Sequence, residues 1–191
     1  MAPKKMIVPV IIFTSGILIN LFISLSQPNI VLANSHQEYP QKSQIESTNR
    51  ESNSLNNRYP EEILQWRALI EKYSAENQID PNLIAAVILI ESAGNLDAYS
   101  SSGAVGLMQV MPRDGISASF QCGVNPCFSN RPGMQELFDP EFNIAFGTKF
   151  LASLINRKEN TRDALKAYGP MDVGYGYADK VLSIYYDYQD L

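Results

Sequence analysis

The sequence predicts a mainly helical domain, and three observations carry that expectation. From Tyr59 onward apolar residues recur at helical spacing in successive stretches. Helix-start signals precede them: Asp80-Pro81, Asp139-Pro140 and Thr161. No convincing run of alternating apolar and polar residues, the mark of a half-buried strand, occurs in the same region.

Pro60-Glu61-Glu62 opens the first helix and sets Ile63, Trp66, Ile70 and Tyr73 on one face. Asp80 is placed to cap a second helix from Pro81 to about Ser92, and Pro81 suits its first position. Its run Leu83-Ile84-Ala85-Ala86-Val87-Ile88-Leu89-Ile90 is apolar all round and therefore buried. The small polar residues from Asn95 to Gly103 predict a loop, and Gly106 to Val110 a short helix stopped by Pro112. Arg113 to Leu137 is expected to be mostly irregular. Asp139 caps a helix starting at Pro140, with Ile144, Gly147, Leu151 and Leu154 on one stripe. A mid-helix Gly costs about 1 kcal/mol relative to Ala, so Gly147 predicts close packing against a neighbour. Thr161 is read as the cap of a short helix through Leu165 to Tyr168, and Tyr177, Val181, Ile184, Tyr185 and Tyr188 line a last one.

The flank before this region differs in kind. Lys4 and Lys5 precede an apolar run from Met6 to Leu25, and Val31-Leu32-Ala33 supplies small or apolar residues ahead of Asn34. Residues 1–33 thus have the layout of a signal peptide cleaved after Ala33. The run is also long enough to be retained as a single N-terminal membrane anchor. Residues 34–58 are rich in Ser, Asn, Gln and Glu and are expected to form a polar, flexible linker. The domain proper is then 59–191. A retained anchor would let that domain work close to a membrane, as an envelope-spanning assembly requires.

Composition removes several classes of function. The net charge is −5, and loss of Lys4 and Lys5 leaves −7. A protein this acidic has no general attraction for nucleic acid. The one His, His36, lies in the polar segment, which removes Ser-His-Asp and Cys-His nucleophile systems and His-ligated zinc. No metal ligands or cofactor motif are expected. Carboxylates are left as the groups for acid–base work near neutral pH.

Glu91 is the carboxylate that the pattern singles out. It sits in the last turn of the apolar second helix, partly dry and near the negative end of the helix dipole. Both influences disfavour its charge and raise its pKa. A carboxylic acid kept protonated near neutral pH is what cleavage of a glycosidic bond needs. Such enzymes usually pair two carboxylates, but Asp97, Asp114 and Asp139 occupy no position that the chemistry forces. The two cysteines, Cys122 and Cys127, enclose Gly123-Val124-Asn125-Pro126. Export favours a disulfide between them over two unpaired thiols. Closing so short a loop is worth roughly 2 kcal/mol in chain entropy.

Glu91-Ser92, Ala98-Tyr99-Ser100 and Gly103-Ala104-Val105-Gly106-Leu107-Met108-Gln109-Val110-Met111-Pro112 resemble the signature of the soluble lytic transglycosylase (SLT) domain. Weaker blocks follow at Asp139 to Gly147, Ala164 to Tyr168 and Tyr177 to Val181. The SLT domain belongs to the lysozyme-like superfamily and is similar to goose-type lysozyme. The resemblance implies a lysozyme-like helical domain with an active-site cleft. It implies an enzyme that cleaves the bond between N-acetylmuramic acid and N-acetylglucosamine in peptidoglycan glycan strands, leaving 1,6-anhydro-muramic acid ends. Glu91 would be acid and then base, with no second carboxylate required. Ser100, Gln109, Met111 and Tyr168 match positions lining the sugar cleft, Tyr168 with its hydroxyl near the catalytic Glu, and Ser92 would support the helix end. Two departures stand out: Gly169-Pro170-Met171 follows Tyr168 where Asn-Ala-Gly is common, and Leu96 replaces a frequent Pro. A hydrolytic lysozyme of the same fold, or a wall-binding module without activity, are the alternatives.

Overall fold

The computed structural model describes residues 54–170 and 173–189. The signal or anchor segment 1–33 and most of the linker lie outside the described residues. Within them the chain forms α1 (Glu61–Leu64), α2 (Arg67–Asn77), α3 (Pro81–Ser92), α4 (Met134–Leu137), α5 (Pro140–Arg157), α6 (Thr161–Tyr168) and α7 (Gly176–Asp187). A 3-10 turn (Gly115–Ser119) and the strands β1 (Gln121–Cys122) and β2 (Asn125–Pro126) lie between α3 and α4.

Helix α3 is the axis of the core. Every residue from Pro81 to Ile88 is buried, which the unbroken apolar sequence requires. Helix α7 packs along it, α2 and α1 cover other sides, and α5 joins α2 to α6 while α6 leans on α7. Its start is held by Asp80, whose carboxylate accepts the Asn82 amide at 2.8 Å, the Tyr185 hydroxyl at 2.9 Å and the Gln189 amide at 3.0 Å. With the Asn82 side-chain amide at 3.1 Å as a fourth donor, this buried carboxylate satisfies its oxygens without leaving the core. At the far end Ala93 adopts the left-handed conformation (φ 52°) and Gly94 follows at φ 83°. A Cβ on Gly94 would lie 2.1 Å from the Glu62 carbonyl oxygen, so α1 can approach only a glycine here.

Several sequence expectations are corrected. The first predicted helix breaks into α1 and α2 at Trp66, whose indole N–H turns to the Gly94 carbonyl at 3.0 Å. Gly106 to Val110 is not a helix. It is a tight turn closed by an antiparallel bridge between Val105 and Val110. Asn160, not Thr161, caps α6, its side chain accepting the Asp163 amide at 2.8 Å. The folded region begins earlier than 59: Leu55 is 2 % exposed and in the core. Asn56 hydrogen-bonds Asn82 and the Tyr188 carbonyl, and Arg58 reaches the Asp187 carbonyl.

Cys122 and Cys127 form a disulfide across the β1–β2 hairpin, where Gln121 pairs with Pro126 and Cys122 with Asn125. Residues 121–126 are all exposed. Gly147 meets the expectation placed on it: a Cβ there would lie 2.5 Å from the Met108 sulfur and 2.8 Å from its Cβ.

Gly147→Ala tests that contact by its sign. Helix propensity alone would stabilise the variant by about 1 kcal/mol, whereas overpacking costs about 1–3 kcal/mol. The clash with Met108 is expected to win, so urea unfolding should show a net loss of stability.

Candidate active site

The site is built where the end of α3 meets the turn at 105–110. Burial along α3 carries Glu91 out of the core half-dry rather than into open solvent. Its Oε1 accepts a hydrogen bond of 2.6 Å from the Tyr177 hydroxyl, a residue from the first turn of α7. Burial pushes the Glu91 carboxyl from its ordinary value near 4.5 up to about 7, against the opposing pull of the Tyr177 hydrogen bond. No carboxylate among the described residues contributes to that shift.

Tyr177 is itself buried, and burial together with the Glu91 charge raises its pKa well above the ordinary phenol value. It therefore stays a donor. Its ring lies on Gly169, where a Cβ would come within 2.4 Å of the ring carbons. Gly169, directly after Tyr168, thus leaves room for the aromatic side chain that holds Glu91.

The 105–110 turn is buried, so each of its backbone groups needs a partner. Asn143 of α5 serves two of them, the Val105 carbonyl and the Met108 N–H. Its amide donates to the Val105 and Leu137 carbonyls at 2.9 and 2.8 Å and accepts the Met108 N–H at 2.8 Å. A Cβ on Gly106 (φ 75°) would lie 2.3 Å from the Asn143 nitrogen, so Gly106 is required twice over. Ser92 ties the turn to α3, donating to the Leu107 carbonyl at 2.8 Å. Tyr168 ties it to α6, donating to the Met108 carbonyl at 2.8 Å.

The sequence-selected residues fall into place unevenly. Tyr168 is not the hydroxyl bonded to Glu91; that is Tyr177. The Tyr168 ring stacks beside Tyr177 at 6.5 Å between centroids, and the Glu91 charge helps hold its pKa up. Gln109, in the left-handed region at φ 45°, donates to the Ala98 and Gly106 carbonyls at 3.1 and 3.0 Å. Its NH₂ therefore braces the turn, which leaves the side-chain oxygen for a ligand. The Ser100 hydroxyl accepts the Ala104 N–H at 2.9 Å and keeps its own proton to donate. Met111 is half-buried. Cys122 and Cys127 belong to the exposed hairpin rather than to this cluster. The other carboxylates serve elsewhere: Asp114 accepts the Met134 amide and Asp139 caps α5.

The sequence reading missed Tyr177 as a partner of Glu91 and Asn143 as the clamp of the turn. The sequence puts Tyr177 on the apolar stripe of the last helix and at the head of the last block of the resemblance, and nothing in local spacing links it to a residue so far upstream. Asn143 did carry a signal, as a polar residue one position before Ile144 on a core-facing helix.

The transglycosylase SLT domain model matches residues 68–177, more than half of the chain. The chain belongs to the transglycosylase SLT domain family. Among its relatives, endo-type membrane-bound lytic murein transglycosylase A of Klebsiella pneumoniae is 42% identical over 94 residues, 49% of this chain and 44% of the relative. Membrane-bound lytic murein transglycosylase E of Buchnera aphidicola is 37% identical over 92 residues, 48% of this chain and 42% of the relative. The chain thus matches less than half the length of these relatives. An inactive mutant of lytic transglycosylase Slt from Pseudomonas aeruginosa shares the fold, with a TM-score of 0.52 at 23% identity over 69% of this chain and 24% of that one. Glu91, the 105–110 turn and Tyr177 all fall inside the part matched by the SLT model.

The raised pKa has a stability consequence. Glu91 is protonated in both folded and unfolded states below about 4.5, and only in the folded state between about 4.5 and 7. Stability therefore falls as pH rises through that window and levels off above it, by up to about 3 kcal/mol at 1.36 kcal/mol per unit. Glu91→Gln should remove this loss, so urea unfolding at pH 4.5 and pH 8 should differ less in the variant than in the wild type. Tyr177→Phe removes the opposing hydrogen bond and should move the Glu91 titration, followed by carboxyl NMR, further upward.

Proposed function

We propose that this SLT-family chain is a peptidoglycan lytic transglycosylase in which Glu91 is both proton donor and proton acceptor. The carrying observation is a half-buried carboxyl, poised near pH 7 and aligned by Tyr177, with no second carboxylate among the described residues acting on it. As an acid, Glu91 protonates the oxygen joining N-acetylmuramic acid to N-acetylglucosamine, and the bond from that oxygen to the muramic C1 breaks. The carboxylate then takes the proton from the muramic 6-hydroxyl as its oxygen attacks C1. A 1,6-anhydro ring closes, Glu91 is reprotonated, and no water is consumed. Retaining and inverting hydrolases commonly need a second carboxylate as nucleophile or to activate water; this route needs neither.

The names of the relatives support the same reading, since both are lytic murein transglycosylases. Tyr177 orients the carboxyl, Tyr168 and Ser92 hold the turn, and the Ser100 hydroxyl, the Gln109 oxygen and Met111 face the sugars. The relatives' membrane-bound character supports action outside the cytoplasm. Residues 1–33 would direct export, freeing the domain by cleavage after Ala33 or holding it at the membrane beside an envelope-spanning assembly. No helix among the described residues is long and apolar enough to cross a membrane.

Digestion of purified peptidoglycan followed by mass spectrometry tests the activity. Fragments ending in 1,6-anhydro-muramic acid, one water lighter than hydrolysed fragments, are expected, and Glu91→Gln should release none. Reducing ends alone would make the chain a lysozyme, and binding without release would make it a wall-binding module. The rate should fall about tenfold per pH unit above about 7, as the acid form is lost. N-terminal sequencing of the native protein separates the two fates of residues 1–33: a start near Asn34 means cleavage.

A further inference from the structure

The aromatic side chains beside Glu91 lead to a cation that the chemistry above does not use. Tyr177 stacks beside Tyr168, and Tyr168 lies 5.6 Å from Phe150 between centroids. The guanidinium of Arg131 sits over the Phe150 ring at 3.9 Å and near the Phe146 ring at 5.7 Å. Arg131 and Glu91 act on the same phenol from opposite directions: the Arg131 charge lowers the Tyr168 pKa and the Glu91 charge raises it. Arg131 is therefore within electrostatic reach of the site.

Its guanidinium is uncommitted. Arg113 pairs with Glu136, Arg67 with Glu71 and Arg162 with Asp179. Arg131 makes no ion pair and no side-chain hydrogen bond among the described residues; it has only the two rings beneath it. Neighbouring Arg113 donates to the Arg131 carbonyl, which brings in another cation rather than a counter-ion. The group is half-buried, and that burial lowers its pKa. A partly desolvated guanidinium held over an aromatic face, with its N–H fork unspent, suits bidentate capture of a carboxylate.

We propose that Arg131 is a subsite for a carboxylate of the substrate's stem peptide. The inference rests on the peptidoglycan reading. The sugar chain of that polymer has its lactyl acid tied up in an amide, so its free carboxylates lie on the peptides. Arg131 then makes the enzyme select peptide-bearing strands over naked glycan, and the aromatic residues set the distance between the anion and the bond that breaks.

The test uses soluble glycan strands in three forms: with stem peptides, with the same peptides amidated at their carboxylates, and stripped of peptides by an amidase with the lactyl carboxylates so exposed then capped as amides. Binding is read with the full chain carrying Glu91→Gln, and turnover with active protein. Arg131→Gln should weaken binding and lower kcat/KM on the peptide-bearing strands by about tenfold. It should change both by less than about twofold on the amidated and stripped strands. Arg131→Lys, which keeps the charge and the stem but not the fork, should fall between. Equal losses on all three strands would reduce Arg131 to a prop for Phe150, and no loss on any would remove it from substrate binding; either result overturns the proposal. Anhydro ends released by the wild type from stripped strands report separately on the transglycosylase reading. The binding arm with Glu91→Gln stands even if that reading fails.

Discussion

The burial of α3 from Pro81 to Ile88 is the constraint on which the rest of the structure depends. A helix whose residues from Pro81 to Ile88 are all buried has no solvent side. Any side chain leaving its last turn emerges from apolar surroundings. Glu91 inherits a low dielectric from that position, and no special local arrangement is needed to raise its pKa. The same enclosure explains the polar devices at both helix ends. Asp80 must be satisfied by Tyr185 and Gln189 because it too is inside, and the chain must turn left-handed at Ala93 and Gly94 because α1 leaves no room for another path.

The wall opposite Glu91 is irregular backbone, and its order comes from side chains of other elements. The Leu107 carbonyl is held from α3 by Ser92, the Met108 carbonyl from α6 by Tyr168, and the Met108 amide from α5 by Asn143. Three helices thus fix one short turn, and the acid reaches it already positioned. Tyr177 completes the arrangement from α7. Preorganisation of this sort matters in acid catalysis, because a donor that must first find its geometry loses part of its advantage.

Much of this was legible in the sequence, for identifiable reasons. Helix α3 and its cap could be read because Asp80-Pro81 and the apolar run after it are local signals, as are Asp139-Pro140 for α5. Glu91 stood out because composition had left few other groups for the chemistry. What failed were features set by distant contacts. Gly106 to Val110 has apolar residues at helical spacing, yet Asn143 binds its backbone groups in a turn instead. Trp66 fits the stripe of one continuous helix, but its indole is drawn to the Gly94 carbonyl and the helix breaks there. Tyr168 and Tyr177 are both tyrosines near helix ends, but the Tyr168 hydroxyl is taken by the Met108 carbonyl, while Tyr177, packed on Gly169, meets the acid.

The β1–β2 hairpin bears on the order in which the molecule matures. Its disulfide joins residues separated by 5 positions, and residues 121–126 are all exposed, with Val124 at 94 %. None of the side chains that enclose α3 comes from this hairpin. The cross-link therefore braces a hairpin outside the core, and Cys122 lies open to solvent. The packing of the helices leaves this surface hairpin accessible, so the bond has room to close after the core has formed.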